Sequence, residues 1–279
     1  MKACLLESHC IVSEDGRRAN LKANLARGVP VFTQNVPEHD RPLLIVGSGP
    51  SVSGMIDVVK AWPGDVWAIN GAYDFLLSHG LICEGFFGLD PLPQLADYLR
   101  NANEYTTFYI VSMCDPSVLD ALEGHKVLLW HALAENREDF PEGHTLIYGG
   151  TTAVTRAPYL ALAMGYRDIN LIGVDSSYDR EQGQYCYEWG MYETDIAEMT
   201  IPVSINGEGP FYTEIGLCKQ VAQLGTMLTG FNRKREMLKI HAAGLMGAYM
   251  RAPVMDDSVI EVLPYDEVFK TVTPDAAAA

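Results

Sequence analysis

Short, continuous apolar runs recur along this chain, and they restrict its possible folds more than any other feature. The first run is LLIV at residues 43–46. The others lie at 66–69, 85–89, 107–111, 126–130, 169–173 and 237–241. None alternates apolar with polar residues, as a strand with one face in water does. We therefore expect strands buried on both faces, which belong to parallel sheets covered by helices.

The segments between these runs have the length and composition of helices. They are residues 51–61, 71–79, 91–102, 115–122 and 151–164. A chain that alternates strand and helix in this way folds as an α/β protein. The expected fold is Rossmann-like and doubly wound, with a mostly parallel sheet and helices on both faces.

Three regions define the expected domain organisation. Residues 42–250 form the Rossmann-like domain, and residues 251–279 form a C-terminal extension. Residues 1–41 form a helical N-terminal segment, because DGRRANLKANLARG is rich in helix-forming residues and ends before a glycine and a proline stop.

Residues 176–212 interrupt the strand–helix rhythm. This stretch is rich in tyrosine and acidic residues and shows no clear periodicity. A long insertion within a compact domain is usually functional or disordered, and its aromatic content argues against disorder. We interpret it as a lid over the site or as a wall on the acceptor side.

Charge and hydropathy exclude some classes of partner. A net charge of −16 and a pI near 4.7 argue against binding to a nucleic-acid backbone, which needs clustered Lys and Arg. No stretch reaches the roughly 18 uninterrupted apolar residues of a membrane helix, and the N-terminus lacks a signal-peptide core. We expect a cytoplasmic protein without a membrane partner; the oligomeric state stays open.

Five loops qualify as ligand-binding positions because ligands of open parallel sheets bind beyond the carboxyl ends of the strands. Gly47-Ser48-Gly49-Pro50-Ser51 follows the first strand, and Asn70 the second. Asp90 and Asp175 follow later strands, and Gly149-Gly150-Thr151-Thr152 opens a helix. We expect the five loops to share one rim of the sheet.

Each loop has two interpretations. Gly47, Ser48, Gly49 and Ser51 fit either a tight strand-to-helix turn or a phosphate cradle, and the loop lacks the third glycine of GxGxxG and the lysine of a P-loop. The side chain of Asn70 either caps the next helix or contacts a ligand.

The other three loops also have two interpretations each. Asp90 and Asp175 are either turn residues or carboxylates that face a metal ion. Gly149, Gly150 and Thr151 offer free N–H groups and a hydroxyl at the positive end of a helix, which suits a phosphate or a carboxylate.

Several of these motifs, in this order, resemble one family. IVGSGPSV, AINGAYDFL, GLDP and GGTTAVTRAPYLALAMGYRDINLIGVDSSY are similar to the archaeal 6-hydroxymethylpterin diphosphokinases. That family also includes bacterial flagellin-modifying glycosyltransferases. A more distant likeness is to bacterial sialyltransferases that use a CMP-sugar. The resemblance covers roughly residues 42–250.

The resemblance implies a nucleotide site. Gly47, Gly49 and Ser51 would contact phosphates or ribose, Asn70 the nucleotide, and 149–151 the base or the phosphates. A diphosphokinase would hold Mg²⁺ between ATP phosphates with Asp90 and Asp175, where the ion neutralises developing charge.

A glycosyltransferase would need a base for the acceptor hydroxyl and a group that stabilises the leaving phosphate. The sialyltransferases supply a histidine after the GxD motif, but this chain has none between His144 and His241. Tyr178 is a candidate for the phosphate, and Asp175 and Glu188 are candidate catalytic carboxylates. His131, at the end of the fifth apolar run, is a further candidate.

Three functions therefore remain as hypotheses. The first is a nucleotide-dependent transferase that moves a sugar from a nucleotide-sugar donor to an unknown acceptor. The second is Mg²⁺-dependent pyrophosphoryl transfer from ATP to a pterin-like alcohol. The third is a binding or assembly protein that keeps the scaffold without catalysis.

Overall fold

The computed structural model describes residues 12–133, 137–180, 185–186, 200–233, 235–253, 255 and 259–263. Its strands are β1 (Leu43–Val46), β2 (Asp65–Ile69), β3 (Gly85–Gly88), β4 (Thr107–Val111), β5 (Lys126–Ala132), β6 (Leu146–Ile147), β7 (Ile169–Ile172), β8 (Ile201–Ile205), β9 (Glu208–Thr213), β10 (Leu238–His241) and β11 (Ile260–Val262).

The α-helices surround the sheet formed by most of these strands. They are α1 (Glu14–Ala26), α2 (Ile56–Lys60), α3 (Ala72–Ser78), α4 (Pro116–Ala121), α5 (Ala153–Ala163), α6 (Ile215–Phe231) and α7 (Gly244–Arg251). Short 3₁₀ turns occupy Pro50–Gly54, Pro93–Leu99 and Arg137–Asp139. Among the described residues, no helix is both long enough and apolar enough to cross a membrane.

The main sheet confirms the predicted α/β class. It has eight strands in the order β10-β7-β1-β2-β3-β4-β5-β6, and every neighbouring pair is parallel. Strands β1, β2, β3 and β7 are buried along their whole length. Both faces of these strands are covered, which explains why their sequences are mostly apolar, with Asp65 and Asn170 as buried polar exceptions.

The strand order reverses beside β1. From β1 the chain adds strands outward on one side as far as β6, and it then returns through α5 to place β7 on the other side of β1. The loops after β1 and β7 therefore leave the same edge of the sheet in different directions. Such a reversal is where open α/β sheets form a ligand crevice.

Two features of the fold differ from the expectation. Strand β6 was not predicted, because two residues make too short an apolar run to recognise. Residues 201–213, which extend one residue beyond the predicted lid, form the β8–β9 hairpin, which pairs with β11 in a separate antiparallel sheet. Its turn is Asn206-Gly207, both at positive φ, a dipeptide that favours tight hairpins.

The N-terminal segment contacts the main sheet and its loops at several places. Asn24 of α1 is fully buried, and its amide donates to the carbonyl oxygens of Ser112 (3.1 Å) and Cys114 (2.8 Å) beyond β4. Val31 and His39 then form single parallel bridges to Leu129 and Tyr166. Within this segment, helix α1 covers Glu14–Ala26, and these contacts join the segment to the main sheet.

Candidate functional site at the reversal of strand order

A cavity of about 270 Å³ lies where the strand order reverses, and we call it the switch-point cavity. Its walls include Ser48 and Gly49 after β1, Asn70 after β2, and residues 173–177 after β7. Three of the five predicted loops therefore meet there, together with Thr152 at the end of a fourth. The cavity occupies the position that the topology favours for a ligand.

The glycines after β1 allow two loops to pack closely. A Cβ atom on Gly49 would lie less than 3.0 Å from the carboxyl group of Asp175 and the carbonyl oxygen of Gly173, and one on Gly47 would meet the same carbonyl. The N–H of Gly47 donates to Ile172 (2.9 Å), and that of Gly49 donates to Gly173 (2.9 Å). These two amides bind the neighbouring loop, so packing explains both glycines.

The serines of the same loop also bond within the protein. Ser48 donates its hydroxyl to the carbonyl oxygen of Ile69 (3.0 Å) and lines the cavity. The hydroxyl of Ser51 donates to Asp175 Oδ2 (2.9 Å). Contact between Gly47, Ser48, Gly49 or Ser51 and a nucleotide remains a prediction.

Asp175 is a buried carboxyl group at the centre of this arrangement. It is 3% exposed and lines the cavity. Burial raises the pKa of Asp175 above its ordinary value, although hydrogen bonds from the hydroxyl and N–H of Ser51 partly oppose the shift. A carboxylate with a raised pKa is a stronger base than an exposed one.

Asn70 has an unusual backbone and an unsatisfied side chain. Its φ of 49° lies in the left-handed region, which is uncommon for residues other than glycine. Its buried Oδ1 has no hydrogen-bond partner among the described residues. The following helix α3 has Gly71 at its N-cap and no side-chain cap bond, so the capping interpretation is wrong. A buried acceptor beside a cavity is suited to a ligand that donates a hydrogen bond.

Two helix N-termini meet the cavity. Thr152, Ala153 and Val154 at the start of α5 line it, as do Gly216 and Leu217 in the first turn of α6. The first N–H groups of a helix lack intrahelical acceptors and carry the positive end of the helix dipole. This arrangement is suited to a negatively charged group.

The Gly149–Thr151 stretch lies outside the switch-point cavity. Gly149 and Gly150 line a separate cavity, and their carbonyl oxygens accept hydrogen bonds from Arg156 (3.3 and 3.0 Å). The N–H of Thr151 donates to Oε1 of Gln223 (3.1 Å). The structure therefore brings Thr152 and the start of α5 to the site, and separates the glycine pair from it.

His131 is also remote from this site. It lies in β5, four strands away from β1, and is fully buried. Its Nδ1 is 2.7 Å from the hydroxyl of Ser112, and its Nε2 is 2.9 Å from Nδ1 of His144. Burial, with smaller effects from His144 and Arg137, lowers the pKa of His131 from 6.5 to about 4.

This histidine predicts a pH dependence of stability. His131 binds a proton near pH 6.5 in the unfolded chain but only near pH 4 in the folded chain. The free energy of unfolding should therefore fall as the pH drops between these values. Urea unfolding at about pH 7 and about pH 5 measures the difference. The difference in the free energy of unfolding between the two pH values should be smaller in His131→Gln than in the wild type. In the control His79→Gln, whose histidine is exposed, this difference should equal that of the wild type. An equal difference in all three proteins would contradict the prediction.

Asp90 is separated from Asp175 by the strand order. It follows β3, three strands from β7, a distance of about 14 Å between strand axes. Its carboxyl group accepts the N–H of Leu92 (2.9 Å). In the described part of the chain, no three His, Cys, Asp or Glu side chains form a cluster that could hold a metal ion. A metal at Asp90 or Asp175 stays a prediction.

The tyrosines occupy neighbouring positions. Tyr185 lines the switch-point cavity, and burial raises the pKa of its hydroxyl, which keeps the group a hydrogen-bond donor. Tyr178 lies beside the cavity, where burial and then Glu214 raise its pKa to about 12. Glu188 lies outside the described residues.

Ser176, Glu214 and Gln220 are among the residues of this site that were not predicted from the sequence. Glu214 precedes α6, and Gln220 in α6 donates from Nε2 to the hydroxyl of Ser176 (3.0 Å). All three line the cavity. The serine directly follows Asp175, so a search of that loop would have found it. Nothing local distinguishes the other two, because α6 reaches the site only through the packing of distant segments.

The comparisons with known proteins agree with this fold. A solved structure of MAf glycosyltransferase from Magnetospirillum magneticum AMB-1 is similar, with a TM-score of 0.62 and 20% sequence identity. The match covers 85% of this chain and 38% of that protein. No curated protein sequence matches the chain.

Residues 18–181, more than half of the chain, match the family described as 6-hydroxymethylpterin diphosphokinase MptE-like. The matched range contains β1 to β7 and the loops around Ser48, Asn70 and Asp175 that line the switch-point cavity. The chain belongs to the 6-hydroxymethylpterin diphosphokinase MptE-like family.

Proposed function

We propose that this protein is a nucleotide-dependent transferase that moves a sugar from a nucleotide-sugar donor to a hydroxyl group of an acceptor. One observation carries the proposal: at the reversal of strand order, a cavity combines the unsatisfied Oδ1 of Asn70 with the N-termini of α5 and α6. The fold shared with a glycosyltransferase supports the choice of a sugar.

The polar groups of the cavity complement different parts of such a donor. Oδ1 of Asn70 accepts a hydrogen bond from a base amino group or a ribose hydroxyl. The N-termini of α5 and α6, which carry the positive ends of the helix dipoles, are suited to the phosphates. Tyr185 stays protonated and donates to the phosphate oxygen on which charge develops as the donor bond breaks.

Asp175 is suited to the role of base. In the proposed transfer, the acceptor oxygen forms a bond to the anomeric carbon of the donor, and the bond from that carbon to the phosphate oxygen breaks. The nucleotide leaves with the electron pair of this bond, and the carboxylate of Asp175 takes the hydroxyl proton. The raised pKa of Asp175 supports this assignment.

A panel of nucleotides tests the proposal through thermal stability. A ligand present at 100 times its Kd stabilises the folded state by about 2.7 kcal/mol, which raises Tm by several degrees. We expect CMP, UDP or GDP, or one of their sugar conjugates, to raise Tm without added Mg²⁺. No response to any nucleotide would contradict the proposal and favour a binding or assembly protein.

Pyrophosphoryl transfer from Mg–ATP is the second candidate, and membership of the diphosphokinase-like family favours it. Mg²⁺ is usually bound by one or two carboxylates together with substrate phosphates, so Asp175 and Glu214 fit as carboxylates that line the cavity. The ion would neutralise the phosphate charge when bound. Stabilisation by ATP only in the presence of Mg²⁺ would favour this candidate. Asp90→Asn would then test the role of Asp90, which lies outside the cavity.

Replacing Asn70 should weaken nucleotide binding specifically. Asn70→Gly removes the side chain and tolerates the positive φ, so the backbone is retained. Loss of one hydrogen bond should raise the nucleotide Kd about three- to tenfold. Calorimetric titration measures the change.

Asn206→Gly is the matched control, because Asn206 also has a positive φ but lies in the β8–β9 turn. Its nucleotide affinity should equal that of the wild type. If Asn70→Gly also binds like the wild type, Asn70 does not contact the nucleotide.

A further inference from the structure

We propose that a second cavity beside the switch-point cavity binds the acceptor, and that the acceptor is a carbohydrate. This inference rests on the proposed sugar transfer, to which it adds the position and the chemical class of the acceptor. We call the second space the outer cavity; it has a volume of about 620 Å³. Residues 50, 51, 53, 54, 175, 177–180 and 210–212 form most of its wall.

The two cavities share one wall. Asp175 and Ser177 line both of them, so the carboxyl group of Asp175 lies at the boundary. An acceptor in the outer cavity would place a hydroxyl group near this carboxyl group, opposite a donor in the switch-point cavity. Holding two reactants on either side of a base is the arrangement that group transfer requires.

Aromatic side chains provide an apolar surface in the outer cavity. Tyr178, Phe211 and Tyr212 line it; Phe211 is half-buried, and the two tyrosines are buried. The C–H face of a sugar ring is apolar and packs flat against an aromatic ring. Ligand cavities of this size combine such surfaces with a few polar groups.

Charged groups supply the polar part of the recognition. Asp179 and Arg180 are exposed and line the outer cavity, and the guanidinium group of Arg180 lies 5.3 Å from the centre of the Tyr212 ring. A carboxylate accepts hydrogen bonds from hydroxyl groups, and a guanidinium group donates them. A polyhydroxylated ligand uses both, because each hydroxyl is a donor and an acceptor.

The neighbouring strand argues against a peptide acceptor that would pair with β9. At the free edge of this strand, the carbonyl oxygen of Tyr212 already accepts the N–H of Tyr178 (2.7 Å). Two residues earlier on the same edge lies Pro210, which has no N–H to donate. The edge therefore offers no continuous hydrogen-bonding ladder to an added strand.

Ligand-observed NMR titrations of the full chain test the proposal. The probes are galactose, N-acetylglucosamine and N-acetylneuraminic acid, with a serine-containing peptide for comparison. We expect at least one sugar to bind the wild type, and we expect Phe211→Ala and Arg180→Gln each to weaken that binding at least fivefold. Arg180 is exposed, so its replacement tests the site even if Phe211→Ala fails to fold.

Tyr148→Ala is the matched control. Tyr148 is 64% exposed and lines two other cavities, so its loss should leave sugar binding within twofold of the wild type. Nucleotide affinity should also stay within twofold in Phe211→Ala and Arg180→Gln.

Three results would overturn the proposal: unchanged sugar binding in both variants, binding of the peptide alone, or a parallel loss of nucleotide affinity. The last would place the donor in the outer cavity. If the wild type binds sugar here but no nucleotide, the carbohydrate site stands and the proposed transfer fails.

Discussion

Replacing Gly49 with alanine is expected to lower the free energy of unfolding by about 3 kcal/mol, the upper part of the usual range for overpacking. The added methyl group would lie less than 3.0 Å from the Asp175 carboxyl group and the carbonyl oxygen of Gly173. Backbone forms one of these obstacles, so a side-chain rotation cannot relieve the clash. Urea unfolding measures the loss as a shift of the transition midpoint.

Gly54→Ala is the matched control in the same loop. A Cβ atom at Gly54 would meet nothing within 4 Å, so its effect should stay within about 0.5 kcal/mol. Adding Asp175→Gly to Gly49→Ala should restore part of the stability, because one of the two obstacles is removed. If Gly49→Ala is as stable as Gly54→Ala, the two loops do not pack as closely as described.

Asp175→Asn is expected to reduce the rate of the proposed sugar transfer by about 10²- to 10⁴-fold, the usual contribution of a general base. An amide has nearly the same shape and can still accept the hydrogen bond from Ser51. It cannot take a proton. Nucleotide affinity should therefore change much less than kcat, and transfer assays with the donor identified by thermal shift would measure both.

The pH dependence gives a second readout for Asp175. Transfer by the wild type should increase as the pH rises through the raised pKa of this group, because only the carboxylate is a base. The folded state holds this proton more tightly than the unfolded state, so ionisation of Asp175 opposes folding as the pH rises. Asp175→Asn should therefore be at least as stable as the wild type near neutral pH.

Asp168→Asn is the control for this prediction. Asp168 precedes β7, whereas Asp175 follows it, and its carboxyl group pairs with Lys239 (3.3 Å). Its replacement should leave kcat within twofold of the wild type. If Asp175→Asn retains more than a tenth of the wild-type rate, Asp175 is not the base.

Local sequence patterns were sufficient to predict every strand of the main sheet except β6. Strand β1 is buried on both faces and all of its residues are apolar, so the pattern is visible without knowledge of its neighbours. The β8–β9 hairpin was missed, although Asn206-Gly207 is a strong turn signal. The aromatic and acidic composition of the surrounding stretch obscured it.

The candidate site was predicted only in part. Ser48, Gly49, Asn70 and Asp175 do meet at one cavity. Gly149 and His131 were chosen for the same reason, their position at the end of a strand or the start of a helix. Both lie away from this cavity. Sequence showed that each loop leaves the carboxyl end of a strand or opens a helix, but it could not show which strands are neighbours.

Tertiary structure decided the order of the strands, and with it the membership of the site. Val46 and Ile172 are adjacent because β1 pairs with β7, although β2 to β6 lie between them in the chain. The tendency of a residue to be buried depends on its own side chain, so it is visible in the local sequence pattern. Pairing is set by hydrogen bonds and packing between distant segments, so only the folded chain shows that Asp175 lies against Gly49.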